Sequence, residues 1–160
     1  MRLSKILFVL IGCLLATIAS GPANAGPFDN LPGTWRGSGE IRLRGGAVER
    51  VRCNAYYTSK DNGDGLGIAL RCASSSYKIE LRSQLSNKGG AISGSWVERT
   101  FNASGSVTGR SSGNSLRLSV SGGGLNGSMS VSLSGSRQTV AINTQGIDLQ
   151  SVNISLSRSG

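Results

Sequence analysis

Two cysteines placed symmetrically about one dipeptide constrain this chain more than any other feature in it. Asn62-Gly63 is the favoured filling of a tight β-hairpin turn, because both central residues of a type I′ turn need positive φ. Pairing Asp61 with Asp64 and stepping outward brings Cys53 directly opposite Cys72. The dipeptide therefore predicts a hairpin, its register and a cross-strand disulfide together. Counting from a two-residue turn puts the cysteines in a hydrogen-bonded pair with Cα atoms about 5.5 Å apart, a separation that a disulfide can span.

A disulfide needs an oxidising compartment, and the N-terminus reads as an export signal. Arg2 and Lys5 form a positive region, Ile6 to Ile18 an apolar stretch, and Ala23-Asn24-Ala25 a cleavage site. Residues 1–25 are expected to be a cleaved signal peptide, 26–32 a lead-in, and 33–160 a single domain, periplasmic or secreted. The alternative is a lipobox, Leu10-Ile11-Gly12-Cys13, which would leave a lipid anchor on Cys13. Leu14, Leu15 and Ile18 continue the apolar run past that cysteine, which favours cleavage after Ala25. No other apolar run approaches the length of a membrane span.

Beyond the lead-in, apolar residues recur at every second position and no long helical period appears. Ten candidate strands run at about 34–43, 49–60, 65–73, 77–86, 91–100, 104–110, 115–121, 126–134, 138–144 and 150–158. Short turn signals separate them, among them Gly45-Gly46, Gly113-Asn114 and Gly135-Ser136. Short connections throughout predict an all-β, antiparallel up-and-down meander of eight to ten strands. Such a meander closes into a barrel, the favoured form here, or folds into a two-sheet sandwich.

Parity divides the residues between two faces. The inner set includes Trp35, Cys53, Tyr57, Leu70, Cys72, Tyr77, Trp96 and Met129, which makes the disulfide a core staple. Inner glycines such as Gly37, Gly39, Gly94, Gly105 and Gly109 are expected to leave space that side chains do not fill. A ligand cavity would then be apolar and lined by Trp35, Tyr57, Leu70, Tyr77, Trp96 and Met129. The outer face of the first four strands is basic, and Arg42, Arg52, Arg71 and Lys78 are its candidate anion-binding residues. The outer face of the later strands is mostly Ser, Thr and Asn.

Removal of Arg2 and Lys5 leaves 15 basic residues against 8 acidic, a net charge of +7. Such a surface suits anionic envelope components; for an exported chain, nucleic acid is not an expected partner. The chain has no histidine, the commonest general base and a common metal ligand. Pairing of the two cysteines removes thiolate chemistry as well. Glu49, Glu80 and Glu98 form no paired-carboxylate pattern, and no nucleophile motif is present. These gaps predict a chain that is not an enzyme and holds neither cofactor nor metal. Asp61-Asn62-Gly63-Asp64-Gly65 begins like a calcium loop, but the twelfth position is Cys72 where a glutamate is needed.

Gly33-Thr34-Trp35 at the start of the first strand resembles the G-x-W signature of the lipocalin and avidin barrels. The resemblance implies a closing pair in which Arg158, near the end of the last strand, packs over Trp35. The stretches Gly33 to Gly39, Glu49 to Cys53 and Leu70 to Ile79 are also similar to small exported alphaproteobacterial proteins of unknown function, which implies export and no particular activity. Together these features predict a non-catalytic binding module. It would hold a small apolar ligand in a barrel or an anionic envelope polymer on its basic face. The alternative is a structural or inhibitor-like envelope protein acting through its surface around a filled interior.

Overall fold

The structure, a computed structural model, describes residues 26–160. The expected signal peptide and the alternative anchor at Cys13 lie outside the described residues. Ten antiparallel strands close into one barrel in which every strand pairs with its sequence neighbours and β1 with β10. They are β1 (Gly33–Leu43), β2 (Val48–Lys60), β3 (Gly65–Ala73), β4 (Lys78–Lys88), β5 (Ala91–Glu98), β6 (Ala103–Ser112), β7 (Ser115–Gly122), β8 (Leu125–Ser134), β9 (Arg137–Gln145) and β10 (Leu149–Arg158). All ten correspond to the strands expected from alternation. Closure leaves no unpaired edge for another chain to extend.

The β2–β3 hairpin has the predicted register, with Cys53 opposite Cys72 and the two sulfurs bonded. Asn62 and Gly63 both take positive φ, and the Asp64 N–H donates to the Asp61 carbonyl at 3.1 Å. Asp61 also takes positive φ, so the ladder ends one pair earlier, at Lys60 and Gly65. Counted from that closing pair, the cysteines fall in the non-hydrogen-bonded class, whose Cα atoms lie about 4.5 Å apart. Their observed Cα separation of 4.1 Å agrees with this and corrects the expected pair class.

The inner glycines do not hollow out the barrel as expected. A Cβ on Gly105 would stand 1.8 Å from the Ser121 carbonyl oxygen of β7, and one on Gly37 would stand 1.9 Å from that of Ser155 on β10. These positions are filled by the neighbouring strand's backbone. The glycines permit sharp coiling of the sheet.

The two ends of the barrel differ. At the base, the lead-in crosses the opening and buries Phe28 and Leu31 beneath Trp35, which is wholly inaccessible. The Trp35 indole N–H donates to the Leu31 carbonyl at 2.8 Å. The guanidinium carbon of Arg158 sits 4.7 Å from the Trp35 ring centroid, and its nitrogens donate to the carbonyls of Asn30 and Pro32. The β1–β2, β3–β4, β5–β6, β7–β8 and β9–β10 turns surround the other end, called the mouth below, where no comparable segment lies across the barrel among the described residues. No helix among the described residues is long and apolar enough to cross a membrane.

Candidate functional site: an apolar lumen open at the mouth

The mouth half of the lumen holds a cavity of about 450 Å³. Its wall is almost wholly aliphatic and aromatic. Alternation explains this, because every second residue of each strand points inward and nearly all of those are apolar. Leu70, Tyr77, Trp96 and Met129, expected from parity, are on this wall, joined by residues such as Ile142 and Val152. Trp35 and Tyr57, also expected there, are not. They meet edge-to-face in the packed base, with ring centroids 6.4 Å apart. The Tyr57 hydroxyl donates to the buried Gln138 Oε1 at 3.0 Å. Burial pushes its pKa up to about 12 against the opposing effect of that bond, so it stays a neutral donor.

Two acidic residues, Glu98 and Asp148, border this cavity; Glu98 is the buried one, and the sequence weighs it only for paired-carboxylate chemistry and not as a lining residue. Glu98 lies two residues after Trp96 on β5, so its inward direction was legible from parity. One carboxylate oxygen accepts the Glu80 N–H at 2.7 Å and the other the Phe101 N–H at 2.6 Å. Desolvation raises its pKa, but the backbone donors of Glu80, Phe101 and Thr100 outweigh it and hold the pKa below the usual carboxylate value. Glu98 is thus a fixed negative charge at the mouth, and its oxygens are engaged by β4 and by the β5–β6 turn. Thr144, also inward, donates its hydroxyl to the Leu149 carbonyl. Among the described residues, no buried side-chain polar atom lacks a partner. The lumen therefore presents mainly shape and apolar surface.

Arg42, Arg52, Arg71 and Lys78 are all exposed on the outer face, as parity predicts. Arg71 is paired with Glu80 at 3.0 Å, and Arg99 approaches the same Glu80 oxygen at 3.9 Å. Arg52, Ala73 and Lys78 lie in one cross-strand row beside the β3–β4 turn. On the far side the outward residues form neutral hydroxyl rows. Ser38, Ser155, Thr139, Ser132, Ser115 and Ser112 stand in register across six strands. A groove of about 350 Å³ crosses this region, but it is shallower than the lumen and has hydroxylated walls, so the apolar lumen is better suited to hold a molecule. A membrane-spanning barrel carries an apolar outer band; here serine, threonine, asparagine and arginine occupy that face. Among the described residues no cluster of potential metal ligands occurs.

No protein-family model and no curated protein matches the sequence. Solved structures match the fold. One is the crystal structure of Rv2717c from M. tuberculosis, 12% identical with a TM-score of 0.66, covering 83% of this chain and 95% of that one. Another is the S-type phycobiliprotein lyase CPES from Guillardia theta, 13% identical with a TM-score of 0.56, covering 83% of this chain and 90% of that one. The second corrects one expectation. A protein named a lyase is built on this barrel, so the missing histidine and the bonded cysteines do not place such a chain outside the enzymes.

Proposed function

We propose that this chain is an exported barrel that takes up a small, neutral, apolar molecule through its mouth and holds it in the lumen. The single observation behind this reading is the cavity of about 450 Å³ with an almost wholly apolar wall, open at one end and plugged at the other. Its size lies in the ordinary range for small-molecule sites. The ionised Glu98 at the mouth disfavours a ligand with an anionic head group beside it. Export is supported by the N-terminal signal pattern and by the Cys53–Cys72 bond. The alternative of a filled interior acting only as a surface conflicts with this open lumen.

Native mass spectrometry of the exported protein is the direct test. The expected result is a chain beginning at Gly26, carrying a small bound mass that organic solvent strips off. The stripped protein should then take up the apolar fluorophore N-phenyl-1-naphthylamine. Leu70→Trp and Ile142→Trp, which add bulk inside the cavity, should each weaken that uptake by about tenfold or more. Uptake that both variants leave intact would place the fluorophore elsewhere and end this reading.

A further inference from the structure

The mouth is not uniform around its circumference. The β1–β2, β3–β4 and β5–β6 turns and the adjoining halves of β1 to β5 form one arc, and Arg42, Arg44, Arg50, Arg52, Arg71, Lys78, Arg82 and Arg99 lie along it. Glu40, Glu49, Glu80 and Glu98 share the arc, but three of them are engaged. Glu80 binds Arg71, Glu98 caps the β5–β6 turn, and Glu49 accepts the Ser75 hydroxyl and the Ser76 N–H. The same arc carries three of the four large apolar side chains exposed among the described residues. Phe101 is 57% exposed at the β5–β6 turn, Val97 48% on β5 and Val48 46% beside the β1–β2 turn. Phe101 also stands at the cavity entrance, with its ring 6.5 Å from that of Tyr77. The opposite arc ends in Gly123-Gly124 and Gly146 and carries no basic residue at its turns.

Exposed aromatic and aliphatic tips set among cations are what an anionic lipid surface recognises. The cations meet the head groups, and the apolar tips enter the interface between head groups and chains. We infer that the arc from β1 to β5 is a docking face for an anionic lipid bilayer, placed so that an apolar molecule leaving the bilayer meets the cavity entrance directly. This deepens the proposed function and rests on it for the purpose of docking, but the docking itself can be measured without any ligand.

The test uses the chain from Gly26 onward and vesicles of phosphatidylcholine with or without one quarter phosphatidylglycerol. Cosedimentation should require the anionic lipid and fall as salt rises. Arg52→Ser with Lys78→Ser should weaken binding on the order of tenfold to thirtyfold, at about one kcal/mol per cation. Phe101→Ser should weaken it at unchanged charge. Arg110→Ser with Arg117→Ser removes an equal charge from a facing pair on β6 and β7, away from the arc, and should leave most of the affinity in place. All five positions are exposed, and thermal unfolding checks that each variant folds. Equal losses from the two double variants would reduce the effect to net charge and overturn the inference, as would binding that ignores lipid charge. Binding of dextran sulfate that matches vesicle binding and is indifferent to Phe101→Ser would assign the arc to a soluble polyanion instead. Fluorophore uptake without vesicles is scored separately. Its failure counts against the lumen reading alone, and loss of vesicle binding with uptake intact counts against docking alone.

Discussion

The guanidinium of Arg158, at the end of β10, lies over the ring of Trp35, near the start of β1, with 4.7 Å between its carbon and the ring centroid. The same group reaches the carbonyls of Asn30 and Pro32, so one side chain joins the barrel's closing strands to the lead-in that plugs its base. Removing it unties three contacts at once. Arg158→Ala should cost about 2 kcal/mol, from an exposed cation–π contact and charge-assisted bonds to two carbonyls. Arg158→Lys should recover only part of this, because an ammonium lacks the planar fork that reaches both carbonyls. Urea unfolding of the three proteins gives the comparison. Equal stability of the alanine variant and the parent would mean that the plug holds without the arginine.

Trp35 also shows where sequence reasoning stopped. Alternation assigned it correctly to the inside, and the glycine-tryptophan start of β1 together with Arg158 pointed to a closing pair. Parity says which face a side chain takes but not how high it sits along the barrel axis. Height depends on strand tilt and on the lead-in, whose Phe28 and Leu31 occupy the space beneath Trp35. Parity alone therefore groups Trp35 and Tyr57 with Leu70 and Met129, although the first two pack in the base, outside the cavity wall. The ten strands and the register of Cys53 with Cys72 were legible because periodicity and turn chemistry are local. The disulfide's pair class was missed because it turned on the φ of one residue, Asp61.

Glu98 ties the mouth to pH. Its folded pKa lies below the unfolded value because backbone N–H groups favour the ionised form over the cost of desolvation. A depressed carboxylate pKa contributes stability above the unfolded pKa, near 4.3, and that stability is lost as pH falls through the folded pKa. The parent's melting temperature should therefore drop more steeply between about pH 5 and pH 3 than that of Glu98→Gln. The variant should be less stable at neutral pH, since an amide places an N–H₂ where one of the Glu80 and Phe101 donors needs an acceptor. Parallel melting curves across that range would show that Glu98 does not couple to folding.

The disulfide should matter for stability more than for the lumen's contents. Cys53 and Cys72 are both buried; Cys72 is one small member of the cavity wall, and Cys53 is not part of it. Replacing both by serine should lower stability by about 3 kcal/mol, the loop-closure effect for a hairpin of this length. The folded fraction should still take up N-phenyl-1-naphthylamine with affinity within a fewfold of the parent. Denaturant titration and fluorophore binding on the same samples separate the two effects. A double variant that stays folded but loses uptake would make the bond part of the site.

Gly105 carries the sharpest steric prediction. On β6 it lies between Trp96 of β5 and Ser121 of β7, and the Trp96 indole N–H donates to the Ser121 carbonyl at 3.2 Å. A Cβ here would stand 1.8 Å from that carbonyl oxygen and 2.7 Å from the indole nitrogen. Neither obstacle is the free end of a flexible chain. One is backbone in the β6–β7 ladder, and the other is a rigid ring fixed in the cavity wall. Gly105→Ala must therefore push β7 away or tilt Trp96, at a cost of about 3 kcal/mol or a failure to fold. Ser106→Ala, one residue on, removes an exposed hydroxyl 3.1 Å from that of Ser121 and should change stability by less than about 0.5 kcal/mol. The two tryptophans report which way the strain goes. In a folded Gly105→Ala protein, emission from Trp96 should shift while Trp35, sealed in the base, keeps its own; Trp35→Phe and Trp96→Phe backgrounds resolve the two signals. An alanine at 105 that costs no more than the serine control would mean that the coiled β6–β7 ladder can relax, and that Trp96 does not depend on the glycine for its place in the wall.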